Sequence, residues 1–385
     1  CSALKDAGQE PVVQAKTGLL LDPYFSGSKM GWALKNWPQL ADAGENLAVG
    51  TVESYLVYRL TGGVHVSDAS NASRTALMSL GSGGWDDGLL DMFGVPRGIL
   101  PEIVDCAGPI GTTLPDLFGG PISITGMAGD QQAATIGQGC FAPGQTKATF
   151  GTGAFVLTNT GQILPQSRNR LLSTVLFQLA GERTYALEGS VFVAGSLIKW
   201  LRDDVGLIRE AAETEDLARS VPDNGGVYLV PALSGLGAPH WRPEARGVIT
   251  GMSFATTRAH IARAALESIA FQSAALLQAM NADAQAAGAE PVRELRVDGG
   301  ACVNDLLMQI QADVLGIPVV RPAVTETTAL GAAYLAGLHS GVYGSLDELS
   351  AQWRSERVFE PRITVDEAAE RMAQWARAVR QTLTL

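Results

Sequence analysis

The chain has 385 residues, 46% hydrophobic and 17% charged, with 44 glycines, which is enough apolar material for two buried cores and for tight turns beside a ligand. A net charge of −11 repels phosphate backbones and anionic lipid heads, so nucleic acid and membrane surfaces are excluded as general partners. No uninterrupted run of about 18 apolar residues occurs, so no membrane-spanning helix is expected.

Taken in chain order, "CSALKDAG" reads as the tail of a helix stopped by Gly8. A chain opening at Cys1 rather than Met suggests a fragment without its amino-terminal part; a lipidated cysteine of a mature lipoprotein is the weaker alternative. Helices are expected over 24–36 and 51–60, with a turn at Thr61-Gly62-Gly63. The strand-like run 122–124 leads into "GMAGDQQAA", where Asp130 stands at the seam between strand and helix. Glycines and Pro143 in "GQGCFAPGQT" mark a boundary, giving domains over 1–140 and 141–385.

Strands are expected over 147–150 and 154–159, joined by the Gly-Thr-Gly of "FGTGAF". "EGSVFVAGSLIKWLRDD" reads as a helix over 188–204 with Gly195 in its interior, where glycine costs about 1 kcal/mol against alanine. A long helix is expected over 257–280. "LRVDGGACVNDLLMQIQADVLGIPVVRP" reads as strand, glycine turn, helix with a period near 3.6, stop at Gly316 and second strand: a βαβ unit and hence α/β layers. A small-residue helix over 329–338 could pack closely on a neighbour, and 365–383 carries Met372, Trp375 and Val379 on one stripe.

Cys1, Cys106, Cys140 and Cys302 form no CxxC, and the four histidines are scattered. Sparse thiols suit a reducing, cytoplasmic setting, and no metal site of protein nitrogen or sulfur is suggested. Each remaining candidate has two readings. The Gly-Thr-Gly hairpin is a phosphate cradle or an ordinary turn. "DGGACVN" either admits a nucleotide to a helix amino-terminus or is a turn with Asp298 as cap. Gly195 answers to a ligand or to helix packing. Asp130 is an N-cap or a catalytic base. Tyr24 and Phe155 line a small pocket or belong to the core.

In order and spacing, "NASRTALMSLGSGGWDD", "GMAGDQQAATIGQGCF", "YALEGSVFVAG", "GLGAPHWRPEARGVITGM", "RAHIARAALESIAFQ" and "LRVDGGACVN" resemble the FGGY carbohydrate kinases, over nearly the whole chain. The resemblance implies an α/β fold of two actin–hexokinase-like (ribonuclease H-like) domains around a cleft, the first domain incomplete. It implies transfer of the γ-phosphoryl group of ATP, with Mg²⁺, to glycerol, the first step of glycerol catabolism. By the same resemblance Asp130 is the general base and, weakly, a metal contact through the ATP phosphates. Gln131 and Tyr24 hydrogen-bond glycerol, and Phe155 packs on its carbons. Thr152 lies at the phosphates, and Gly195, Lys199, Gly300 and Asn304 bound the nucleotide. Glycerol and ATP/ADP are the implied partners, and a homo-oligomer is compatible.

Departures from the family pattern carry further expectations. The amino-terminal segment with the Asp-Gly-Thr phosphate loop and an Arg-Glu pair that grips glycerol is absent, so this chain alone is expected to be inactive, with exposed sheet in its first domain. Lys199 stands where a glutamine usually faces adenine, which puts base selectivity in doubt. Ala33 replaces a larger apolar residue. The short turn over 117–121 lacks a basic loop for fructose bisphosphate, so no inhibition by that route is expected. The alternatives are a kinase of this family acting on a pentulose or another polyol, and a non-catalytic nucleotide-binding protein.

Overall fold

The computed structural model describes residues 1–238 and 240–383, the side chains of residues 41 and 45 excepted; Pro239 of "GLGAPHWRPEARGVITGM" and the last two residues of the expected second domain lie outside them. The first region is mainly helical. Ser26–Asn36 and Val52–Thr61 form the two expected helices, the second closed by Gly62 in the left-handed conformation (φ +78°), which glycine adopts without steric cost. Two small sheets complete the region. Strand β1 (Val66–Asp68) runs parallel to β2 (Glu102–Val104), and β3 (Ala107–Thr112) runs antiparallel to β4 (Ser123–Gly126).

The second region is built on β5 (Thr146–Phe150), β6 (Ala154–Gly161), β7 (Leu172–Leu179) and β8 (Glu182–Val191), followed by the small antiparallel pair β9 (Tyr228–Val230) and β10 (Val248–Thr250). Strands β11 (Leu295–Asp298), β12 (Val319–Pro322) and β13 (Ser355–Phe359) extend the main sheet, whose order is β13-β12-β11-β5-β6-β8-β7. Antiparallel hairpins build one half, and β5, β11 and β12 run parallel in the other. The helix Asp305–Leu315 returns β11 to β12, so the βαβ unit is present, with Gly316 closing its helix at φ +67°. The Arg258–Ala286 helix, six residues longer than expected at its carboxyl end, lies in the main core with Phe271 and Leu276 buried. Trp375 stacks on Phe271 at 5.4 Å from the Val365–Leu383 helix.

The run 188–204 is not one helix. Glu188 belongs to β8, and the helix is Gly195–Asp203. The strand β8 is set by its pairing with β6 and β7, which the helical period of the following residues does not report.

The two regions meet backbone to backbone. The Thr327–His339 helix lies on the Asp130–Gly137 helix. A Cβ on Gly331 would sit 1.8 Å from the Ala133 carbonyl oxygen, and one on Gly137 would sit 2.0 Å from that of Thr327. The close packing expected of the small-residue helix is therefore present, and it fixes the helix that begins at Asp130. Gly331→Ala is expected to lower stability by about 1–3 kcal/mol through overpacking, measured as a lower urea midpoint with an unchanged slope; an unchanged midpoint contradicts the contact.

Candidate active site

The Asp130–Gly137 helix starts after β4, and its N-cap is Gly129. Asp130 is the first helical residue rather than the N-cap, so the cap reading fails on position. Its Oδ1 accepts the backbone N–H of Gln131 at 2.7 Å, and its Oδ2 accepts from Gln131 Nε2 at 3.4 Å. The carboxylate is exposed and lines a cavity of about 200 Å³ with Tyr24, Asn71, Arg74, Gln131 and Glu188.

A buried network holds the floor of this cavity. Asp68, fully buried at the end of β1, accepts from the backbone N–H groups of Ser70 and Asn71, from the Ser70 hydroxyl and Asn71 Nδ2, and from Cys106 Sγ. Burial pushes the Asp68 carboxyl up, and the hydrogen bonds from Ser70 and Asn71 oppose it. Ser70 Oγ in turn accepts the N–H of Gly129 at 2.9 Å. Asp68 thus ties the turn before Asp130 to the end of β1 through Ser70.

Arg74 and Glu188 form the polar wall. Arg74 Nη2 donates to Glu188 Oε1 at 2.8 Å, with the side chains 17% and 4% exposed. Among the described residues neither Arg74 Nη1 nor Glu188 Oε2 has a hydrogen-bond partner. Tyr24 stands beside them; burial first, then the charges of Glu188 and Asp130, push its hydroxyl above the usual phenol range, against Arg74. Asn71, Arg74 and Glu188 went unassigned in the sequence. A lone arginine in "NASRTAL" and a lone glutamate in the apolar "YALEGSV" were the available signals. Phe155 is not brought to the cavity lining. It faces Thr149 and Ser190 across β6, on the sheet face that also carries Lys147 and Glu188.

A second cavity, of about 820 Å³, lies in the second region. Thr152, Gly195, Lys199, Gly300 and Asn304 all line it. The Gly-Thr-Gly turn joins β5 to β6 as a hairpin, with Thr152 exposed. Its carbonyls are already bound: Thr152 O accepts the N–H groups of Ala194 and Ser196, and Gly151 O accepts that of Gly195, each at 3.0 Å. Gly195 is therefore not a helix-interior glycine but the first residue of a helix docked on the hairpin. A Cβ there would sit 2.4 Å from the Gly151 oxygen.

At the "DGG" turn the two glycines serve different ends. Gly299 takes φ +85°, and a Cβ would sit 2.6 Å from the Phe150 oxygen. Nothing lies within 4 Å of a Cβ on Gly300, so this residue opens to the cavity. Asp298 is not the cap; it is buried, accepting from Gln138 Nε2 at 2.8 Å and Thr327 Oγ1 at 2.6 Å. The cap is Asn304, whose Oδ1 accepts Leu307 N–H at 2.9 Å, and Glu215 accepts the N–H groups of Asp305 and Leu306. That helix end is therefore occupied by side chains rather than open to a phosphate, while the Asn304 amide keeps its donor group. Lys199 is exposed at the rim.

Among the described residues no group of three or more histidine, cysteine, aspartate or glutamate side chains could hold a metal. Asp130 and Glu188 are the two carboxylates that line the smaller cavity. Among the same residues no helix is long and apolar enough to cross a membrane.

Comparison with known proteins identifies the family. The N-terminal domain of the FGGY family of carbohydrate kinases matches residues 1–137, and its C-terminal domain matches residues 146–340. The glycerol kinase of Polaromonas naphthalenivorans is 58% identical over 387 residues, covering 100% of this chain and 78% of that protein. That of Acidovorax ebreus is 57% identical, with the same coverage. The crystal structure of Plasmodium falciparum glycerol kinase with ADP superposes with a TM-score of 0.92 at 35% identity, over 99% of this chain and 77% of that one. Gluconate kinase from Lactobacillus acidophilus shares the fold, with a TM-score of 0.85 at 22% identity. The α/β architecture of two actin–hexokinase-like domains, the ordered motifs and these likenesses together make the chain a member of the FGGY family of carbohydrate kinases.

Proposed function

We propose that this chain serves the ATP-dependent phosphorylation of glycerol to glycerol 3-phosphate. The observation that carries the reading is the pairing of two cavities: a small polar one holding Asp130, and a larger one lined by all five residues assigned to the nucleotide. Relatives at 57–58% identity named as glycerol kinases support glycerol as the acceptor.

A neutral alcohol is a weak nucleophile. Asp130 takes the proton from the attacking hydroxyl as its oxygen bonds to the γ-phosphorus, and the bond to the ADP oxygen breaks. Tyr24 and Gln131 hold the other hydroxyls, and Arg74 with Glu188 forms the wall behind them. Thr152 and the hairpin lie at the phosphates; Gly300 and Asn304 bound the nucleoside, with Lys199 at the rim. Mg²⁺, carried on the ATP phosphates, supplies charge neutralisation. Most of the remaining rate comes from alignment.

A coupled assay over glycerol, dihydroxyacetone, xylulose and ribulose, run on the protein that carries this chain, tests the substrate. Highest kcat/KM for glycerol is expected; a pentulose preferred over glycerol sinks the assignment.

A further inference from the structure

Lys147 has no part in the reaction as described, and its place in the fold is unusual. It lies on β5, a strand paired on both sides, opposite Arg296 of β11 and Leu157 of β6. Its side chain is fully buried. A buried ammonium is costly unless its protons are bonded and its charge is answered. Nζ donates to Gln131 Oε1 and, at 2.9 Å, to Thr149 Oγ1. Burial pulls the lysine down, while Asp298, Glu188 and Asp130 oppose that by holding the charged form.

We propose that Lys147 is the positioning residue for the base: it orients Gln131 and, through Gln131, the Asp130 carboxylate. The inference rests on the reading of Asp130 as general base. A glutamine amide has a donor end and an acceptor end, and an ammonium group only donates. Gln131 must therefore turn Oε1 to Lys147, which leaves Nε2 on the side of Asp130. Nε2 reaches Asp130 Oδ2 while the Gln131 backbone N–H holds Oδ1. One residue thus grips both oxygens of the base, and its own orientation is set from a central strand that cannot shift without breaking two ladders. The same lysine contacts Thr149, three residues before Thr152 of the phosphate-side hairpin. It therefore links the substrate cavity to the strand that ends at the nucleotide. Without it the amide is free to flip and present Oε1 to a carboxylate, which repels it.

A double-mutant cycle on kcat tests this, using Lys147→Met, Gln131→Ala and the pair in the protein that carries this chain. It is run on whichever of glycerol, dihydroxyacetone or xylulose the unsubstituted protein phosphorylates best. Lys147→Met alone is expected to lower kcat on the order of 10²-fold, the scale of a misplaced catalytic group, with KM for ATP unchanged. In the Gln131→Ala background it is expected to add little, because the residue through which it acts is gone. Should K147M not fold, Thr149→Val, which removes only the second anchor of Nζ, goes through the same cycle with a smaller expected loss. Losses that multiply in the double variant give Lys147 a structural role only and overturn the inference. No turnover of any of the three substrates by the unsubstituted protein removes the reading of function, and this inference with it.

Discussion

Asp130→Asn is expected to lower kcat by about 10²–10⁴-fold, the usual contribution of a positioned general base, while ADP affinity and thermal stability stay unchanged. The separation of effects follows from the structure. Asp130 is not the N-cap, is exposed, and belongs to the smaller cavity. An asparagine oxygen can still accept the Gln131 backbone N–H that Oδ1 now accepts, so the helix start survives the substitution. What is lost is the lone pair that takes a proton. None of the residues lining the larger cavity is changed. Steady-state kinetics with ADP titration and a melting curve check all three quantities. Near-normal kcat assigns Asp130 no catalytic role; a large loss of stability makes it structural.

Gly195→Ala is expected to reduce kcat/KM for ATP on the order of 10²-fold, by moving the phosphate-side hairpin by a fraction of an ångström to an ångström. The added Cβ would lie 2.4 Å from the Gly151 carbonyl oxygen, a backbone atom that cannot rotate away. Relief requires the helix start and the hairpin to separate. That stretches the bonds from Ala194, Gly195 and Ser196 to the hairpin carbonyls and displaces Thr152 from the cavity wall. Glycerol-site residues lie on other elements, so KM for glycerol is expected to hold. An ATP dependence equal to that of the unsubstituted protein contradicts the account of this turn.

Much of this was legible in the sequence, for identifiable reasons. The βαβ unit around "LRVDGG" carries both a helical period and glycine stops, and these agree with the final packing. The structure gathers Tyr24, Asp130 and Gln131 at one cavity and the five residues assigned by resemblance to the nucleotide at another. Where the reading failed, local and tertiary signals diverged. Gly195 looked like a helix interior because the residues after it are strongly amphipathic, yet the strand β8 before it is defined only by its pairing with β6 and β7. Asp298 looked like a cap because caps follow strands; its partners, Gln138 and Thr327, are 160 and 29 residues away. Phe155 took its expected strand but not its expected place in the cavity lining. Arg74 with Glu188, and Lys147 with Gln131, are pairings across 114 and 16 residues. No periodicity reports such contacts, so the polar frame of the site became visible only in three dimensions.

The central claim is that one phosphoryl group moves from ATP to a glycerol hydroxyl beside Asp130. Product analysis of the protein that carries this chain, incubated with ATP, Mg²⁺ and glycerol, tests it most directly. The account predicts glycerol 3-phosphate and ADP in equal amounts, with neither formed when glycerol is omitted. ADP and inorganic phosphate without glycerol 3-phosphate, or no ADP at all, contradict it.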